Sequence, residues 1–165
     1  MEKKELELYI HIPFCVRKCN YCDFLSFPAD EDTQRQYVKA LCKEIFYYGA
    51  HCRDYVVSTV YIGGGTPSWL WESDMAEIMD AVHKNFALLP DAEVSVECNP
   101  GTVTAQKFAV YRQSGINRIS LGLQSAQNVE LKMLGRIHTW EQFLKTYELA
   151  RAGGFSNINV DLMSS

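Results

Sequence analysis

The sequence predicts an α/β fold built from parallel strands, about five β/α units of a TIM-like barrel or partial barrel. Two observations carry this prediction. Strand-like and helix-like runs alternate five times, the pattern of parallel strands joined by right-handed crossovers with the helices outside. The chemically unusual residues also follow the C-terminal ends of those strand runs, where α/β barrels gather their functional groups. A complete eight-unit barrel takes roughly 250 residues. A chain of 165 residues that stops just after its fifth strand run is therefore expected to be one domain, truncated at its C-terminus.

Each element has a local signature. Leu6 to Ile12 (LELYIHI) reads as the first strand, closed by Pro13 and a cysteine loop. Asp30-Glu-Asp-Thr is an acidic helix start, and Tyr37, Leu41, Ile45 and Tyr48 recur at helical spacing, with Gly49 as the expected stop. Val56 to Ile62 is the second strand and runs into Gly63-Gly64-Gly65-Thr66-Pro67. A helix over Glu72 to Asn85 is expected to bury Met75, Ile78, Met79 and Val82, and Trp69 and Trp71 at its start are expected to pack rather than to stack a cofactor. Glu93 to Glu97 is the third strand, and Thr104 caps a helix through Tyr111 that ends at Gly115. Arg118 to Leu123 is the fourth strand, followed by a short helix over Asn128 to Leu134. Thr139-x-x-Gln142 has the form of a capping box opening a helix that Gly153-Gly154 ends, and Asn157 to Leu162 is the fifth strand.

Composition narrows the function. Net charge is −4 and the pI is near 5.6, so there is no basic footprint for nucleic acid or an anionic membrane surface. Peripheral membrane association cannot be read from these residues. No apolar run approaches a membrane span, and no apolar signal-peptide core follows Met1, so a cytoplasmic protein is expected. Six cysteines in a reducing compartment point to metal or redox chemistry rather than disulfides.

Cys15, Cys19 and Cys22 are the strongest chemical signal. Three thiolates from one loop can hold three corners of an iron–sulfur cluster and leave the fourth open for a small molecule. A zinc site and a dithiol redox pair are the alternatives. Zinc would need a fourth ligand, and His11 and Asp23 lack finger spacing. A redox pair at Cys19 and Cys22 would not need Cys15. Cys42, Cys52 and Cys98 are expected to be structural. The glycine run lacks the Lys-Ser/Thr ending of a phosphate loop. It is either a tight turn or a place where backbone approaches a ligand. Glu97, Gln124, Arg136 and Asp161 near the same rim suit a zwitterionic ligand carrying a ribose. Arg136 could instead neutralise the end of the short helix before it. None of the four histidines is assigned catalysis.

Cys15-x-x-x-Cys19-x-x-Cys22 resembles the motif of radical S-adenosylmethionine (SAM) proteins, whose fold is a partial α/β barrel. Tyr9-Ile-His-Ile-Pro-Phe-Cys15, Gly63-Gly-Gly-Thr-Pro67, Glu97-x-Asn-Pro100, Ser120-Leu-Gly-Leu-Gln124 and Asn159-Val-Asp161-Leu162 together resemble the oxygen-independent coproporphyrinogen III oxidases and their HemW-like haem-chaperone relatives. The resemblance implies a [4Fe–4S] cluster on Cys15, Cys19 and Cys22, with SAM on the fourth iron and one-electron cleavage of its sulfonium. It implies SAM contacts from Tyr9, Gly64, Gly65, Thr66 and Glu97, and it matches Gln124, Arg136 and Asp161 to a second SAM site, with Tyr21 against the adenine. It also implies haem or a porphyrin as cargo or substrate, an electron donor and a haem-acceptor protein. The oxidases resemble one another in a further cysteine two residues after the third, where this chain has Phe24. That departure resembles the haem-chaperone branch rather than the oxidase.

Overall fold

The structure, a computed structural model, describes residues 4–164. Five parallel strands form one sheet in sequential order: β1 (Lys4–Ile12), β2 (Tyr55–Gly64), β3 (Leu88–Cys98), β4 (Arg118–Gln124) and β5 (Asn157–Leu162). The crossovers contain α1 (Glu31–His51), α2 (Glu72–Asn85), α3 (Ala105–Gln113), and the pair α4 (Asn128–Met133) and α5 (Trp140–Ala152).

The helix starts are where the sequence places them. The Asp30 carboxylate accepts from the Thr33 amide at 2.8 Å, and the Thr104 hydroxyl accepts from the Lys107 amide at 3.2 Å. The Thr139–Gln142 capping box is complete, with both reciprocal bonds present. Met75, Ile78, Met79 and Val82 of α2 are all fully buried.

One expectation fails and another holds only in part. Gly49 does not stop α1, which runs on to His51 and is capped by Cys52. Gly49 is instead the point where α1 meets α2, because a Cβ there would lie 2.6 Å from the Asn85 carbonyl oxygen. Trp69 and Trp71 pack only in part, being 39% and 51% exposed, around a single 3₁₀ turn over Pro67–Trp69.

The sheet has two unlike faces. The aligned row Ile10, Ile62, Val96, Ile119 and Ile158 turns toward the helices and joins the hydrophobic core. The residues that alternate with it are polar: Tyr61, Ser95, Glu97, Ser120, Asn159 and Asp161. A parallel sheet covered on both faces would read as continuous apolar runs. Helices cover only one face here, which explains the alternation in EVSVE and NINVDL. The polar face is cross-linked. Tyr61 donates to Glu97 at 2.8 Å, Ser120 to Asp161 at 3.2 Å, and Asn159 to Asp161 at 2.7 Å.

Candidate functional site

The C-terminal strand ends surround a cavity of about 370 Å³ on the polar face. The site residues expected from the sequence all line it except Tyr9. Tyr9 lies outside, 61% exposed, with its ring stacked on Tyr61 at 6.2 Å and its hydroxyl bonded to His11 at 3.1 Å. Burial and the nearby Glu97 charge raise its pKa.

The cysteine loop is closed at its base and pinned at its tip. The Cys15 amide donates to Phe27 O at 3.1 Å, and the Phe27 amide donates to Pro13 O at 2.9 Å. Phe14 is buried edge-on against Phe27 and Tyr37. At the tip, the Asn20 amide donates to Leu134 O at 3.0 Å and its side chain donates to Met133 O at 2.9 Å. The loop is thus held to α4, more than a hundred residues away in sequence.

The glycine run serves this loop. The amides of Gly65 and Thr66 donate to Ile12 O at 2.8 Å and Phe14 O at 2.7 Å. A Cβ at Gly65 would lie 2.6 Å from Phe14 O and 3.0 Å from Cys15 Sγ. Gly64 has φ +118°, and a Cβ there would strike the His11 ring at 2.6 Å. Gly65 therefore lets the chain leaving β2 lie directly against Cys15, and Gly64 lets it pass the His11 ring. Thr66, nearly buried, has its hydroxyl 3.5 Å from Cys15 Sγ.

Glu97 is oriented from both sides, by the Tyr61 hydroxyl on Oε1 and by the Gly64 amide at 3.0 Å on Oε2. Burial and this hydrogen bond push the Tyr61 pKa well up, so it remains a neutral donor. Arg136 reaches inward rather than to the end of α4. Its Nη2 donates to Asn99 Oδ1 and Gly122 O, both at 2.7 Å, and its Nη1 lies 3.6 Å from Cys19 Sγ and 3.4 Å from the Tyr21 hydroxyl. Its Nε is buried with no partner among the described residues. Burial raises the Tyr21 pKa, and the Arg136 charge opposes this. Gln124 has φ +72°, the one positive value outside glycine among the described residues, beside a register break in the β4–β5 pairing.

The donor set fits a cluster. Cys15, Cys19 and Cys22 line one cavity, and two of their sulfurs already receive hydrogen bonds. Among the described residues, no three His, Cys, Asp or Glu side chains gather closely enough for a single ion. A multi-iron cluster holds its thiolates further apart, around its corners. Cys98 also borders the cavity, but burial pushes its pKa up to about 12, so it stays a thiol. Cys42 and Cys52 lie away from the cavity and are half-buried.

Sequence reasoning assigned no role to Tyr61, Ser120, Asn99 or Arg17, all of which line the cavity. Tyr61 and Ser120 were findable, as polar residues on the same strand face as Glu97. Nothing local distinguishes Arg17.

A family model described as "Radical SAM superfamily" matches residues 9–164. The chain is 43% identical over 159 residues to "Heme chaperone HemW" of Escherichia coli (strain K12), covering 96% of this chain and 42% of that protein. It is 36% identical over 158 residues to "Heme chaperone HemW" of Bacillus subtilis (strain 168), covering 94% and 41%. It thus spans about two-fifths of the length of the curated relatives it matches. Among solved structures, it superposes on coproporphyrinogen III oxidase (HemN) from Escherichia coli with a TM-score of 0.90 at 30% identity, covering 98% of this chain and 37% of that one. The FeFe-hydrogenase maturase HydG from Carboxydothermus hydrogenoformans, at 14% identity and a TM-score of 0.62, shares the fold.

Proposed function

Because the chain belongs to the radical SAM superfamily, we propose that Cys15, Cys19 and Cys22 hold a [4Fe–4S] cluster beside bound SAM, in a protein that binds haem and passes it on. The residues described here form the N-terminal portion of that protein's radical SAM core domain. The carrying observation is one cavity of about 370 Å³ that combines three thiols with the polar ends of β2 to β5.

When bound, the cluster supplies an electron to the sulfonium of SAM. The protein's share is binding and orientation. Each Glu97 oxygen accepts one hydrogen bond from the protein and keeps lone pairs for an ammonium group or ribose hydroxyls. Arg136 has no carboxylate partner among the described residues, so its charge attracts a ligand carboxylate. Gln124 and Asp161 face the same space from β4 and β5, as a second SAM molecule would require. Tyr21 offers an aromatic face to an adenine.

Phe24 separates haem carrier from oxidase. It borders the cavity and is 69% exposed, so the position of the oxidases' further cysteine holds an apolar ring. The named similarity to heme chaperones at 43% and 36% identity supports the same reading. Haem is then the cargo, received by an acceptor protein, and an electron donor serves the cluster. Among the described residues no helix is long and apolar enough to cross a membrane. A cytoplasmic location would keep Cys15, Cys19 and Cys22 reduced and free to bind iron.

The test is anaerobic reconstitution with iron and sulfide, followed by haem titration. Cys15→Ala is expected to abolish the visible absorption of the cluster and most bound iron; unchanged iron content would remove the cluster assignment. With SAM and a reductant the protein is expected to bind haem and leave coproporphyrinogen unconsumed. Robust turnover would make it an oxidase.

A further inference from the structure

The Asn99 side chain lies between two residues that each touch a cysteine sulfur. Its amide nitrogen is 2.9 Å from Thr66 Oγ1, and its oxygen is 2.7 Å from Arg136 Nη2. A guanidinium can only donate, so the oxygen of Asn99 must face Arg136 and its NH₂ must face Thr66. The Thr66 hydroxyl is therefore an acceptor on that side, and its one proton is left for Cys15 Sγ, 3.5 Å away. On the other side, Asn99 and Gly122 O together hold Arg136 so that Nη1 reaches Cys19 Sγ at 3.6 Å.

The amide sits on a buried frame. The Asn99 backbone N–H donates to Ser68 Oγ at 3.1 Å, and the Thr102 amide closes the turn onto Asn99 O at 3.1 Å. The buried Lys107 ammonium donates to Ser68 O at 2.8 Å and Thr102 O at 3.1 Å, tying the two turns together. Cys22 Sγ receives no such side-chain donor among the described residues.

We infer that Asn99 is a positioning residue that directs hydrogen bonds onto Cys15 and Cys19 and so raises the reduction potential of the cluster. This rests on the cluster reading above. A donor aimed at a ligating sulfur stabilises the more electron-rich, reduced state.

The test is a redox titration of the reconstituted protein, followed by the electron paramagnetic resonance signal of the reduced cluster, with iron and sulfide content measured in parallel. Thr66→Val removes the donor to Cys15 and is expected to move the midpoint to more negative potential. Thr66→Ala, with no methyl to crowd Cys15, moves it the same way, and Thr66→Ser keeps the wild-type value. Asn99→Asp still accepts from Arg136 but draws the Thr66 proton to its carboxylate, so the midpoint falls. In a Thr66→Val background the same substitution shifts the midpoint less, because only its added charge remains. An unchanged midpoint in Thr66→Val and Thr66→Ala overturns the inference, as does an Asn99→Asp shift of equal size in both backgrounds. Wild-type protein that takes up no iron overturns the cluster reading itself, a result distinct from a cluster indifferent to these substitutions.

Discussion

Arg136 brings a positive charge to the cavity wall, and His138 pays for its nearness. His138 is 4% exposed, and neither ring nitrogen has a hydrogen-bond partner among the described residues. Burial, and then the Arg136 charge, push its pKa down to about 4. The unfolded chain would protonate this imidazole near pH 6.5. Its contribution to stability is therefore fully present above that pH and is lost as pH falls toward 4. The expected loss is about 3 kcal/mol across that window. Urea unfolding at a series of pH values checks this: His138→Leu should flatten the acid limb of stability, and an unchanged slope would contradict the assignment. At this scale the cysteines and Glu97 were legible because spacing and strand-end position mark them. The stacking of Tyr9 outside the cavity and the exposure of Trp69 and Trp71 were not, because side-chain direction depends on neighbours that sequence does not place.

The elements follow their local signals closely, and their exceptions lie where they touch. Capping residues gave helix starts well, since an N-cap bond closes over three residues. Gly49 misleads because glycine both ends helices and permits close helix crossings, and only the position of Asn85 distinguishes the two. Gly49→Ala should gain about 1 kcal/mol in helix propensity. Its Cβ, 2.6 Å from backbone at Asn85, opposes that gain. A net destabilisation of about 1–3 kcal/mol is expected, the typical effect of overpacking, read as a lower urea midpoint. A stabilised variant would show that α1 and α2 separate easily.

At the scale of the molecule, one sheet separates a dry face from a wet one. β2, β3 and β4 each pair on both sides, whereas β1 and β5 lie at the sheet edges among the described residues. β5 is mostly exposed, while β4 is buried through Leu123. Hydrogen exchange on the 165-residue chain should therefore protect the amides of β3 and β4 at least about tenfold more than those of β5. Equal protection would mean that the edge is covered in solution. The order of the elements, their parallel pairing and the cysteine loop follow from periodicity, caps and motif spacing, all local properties of the chain. The place of Asn99 between Thr66 and Arg136, and of Gly65 against Cys15, comes from packing alone. Those contacts join residues 33, 37 and 50 positions apart, and their geometry exists only once the strand ends are packed side by side.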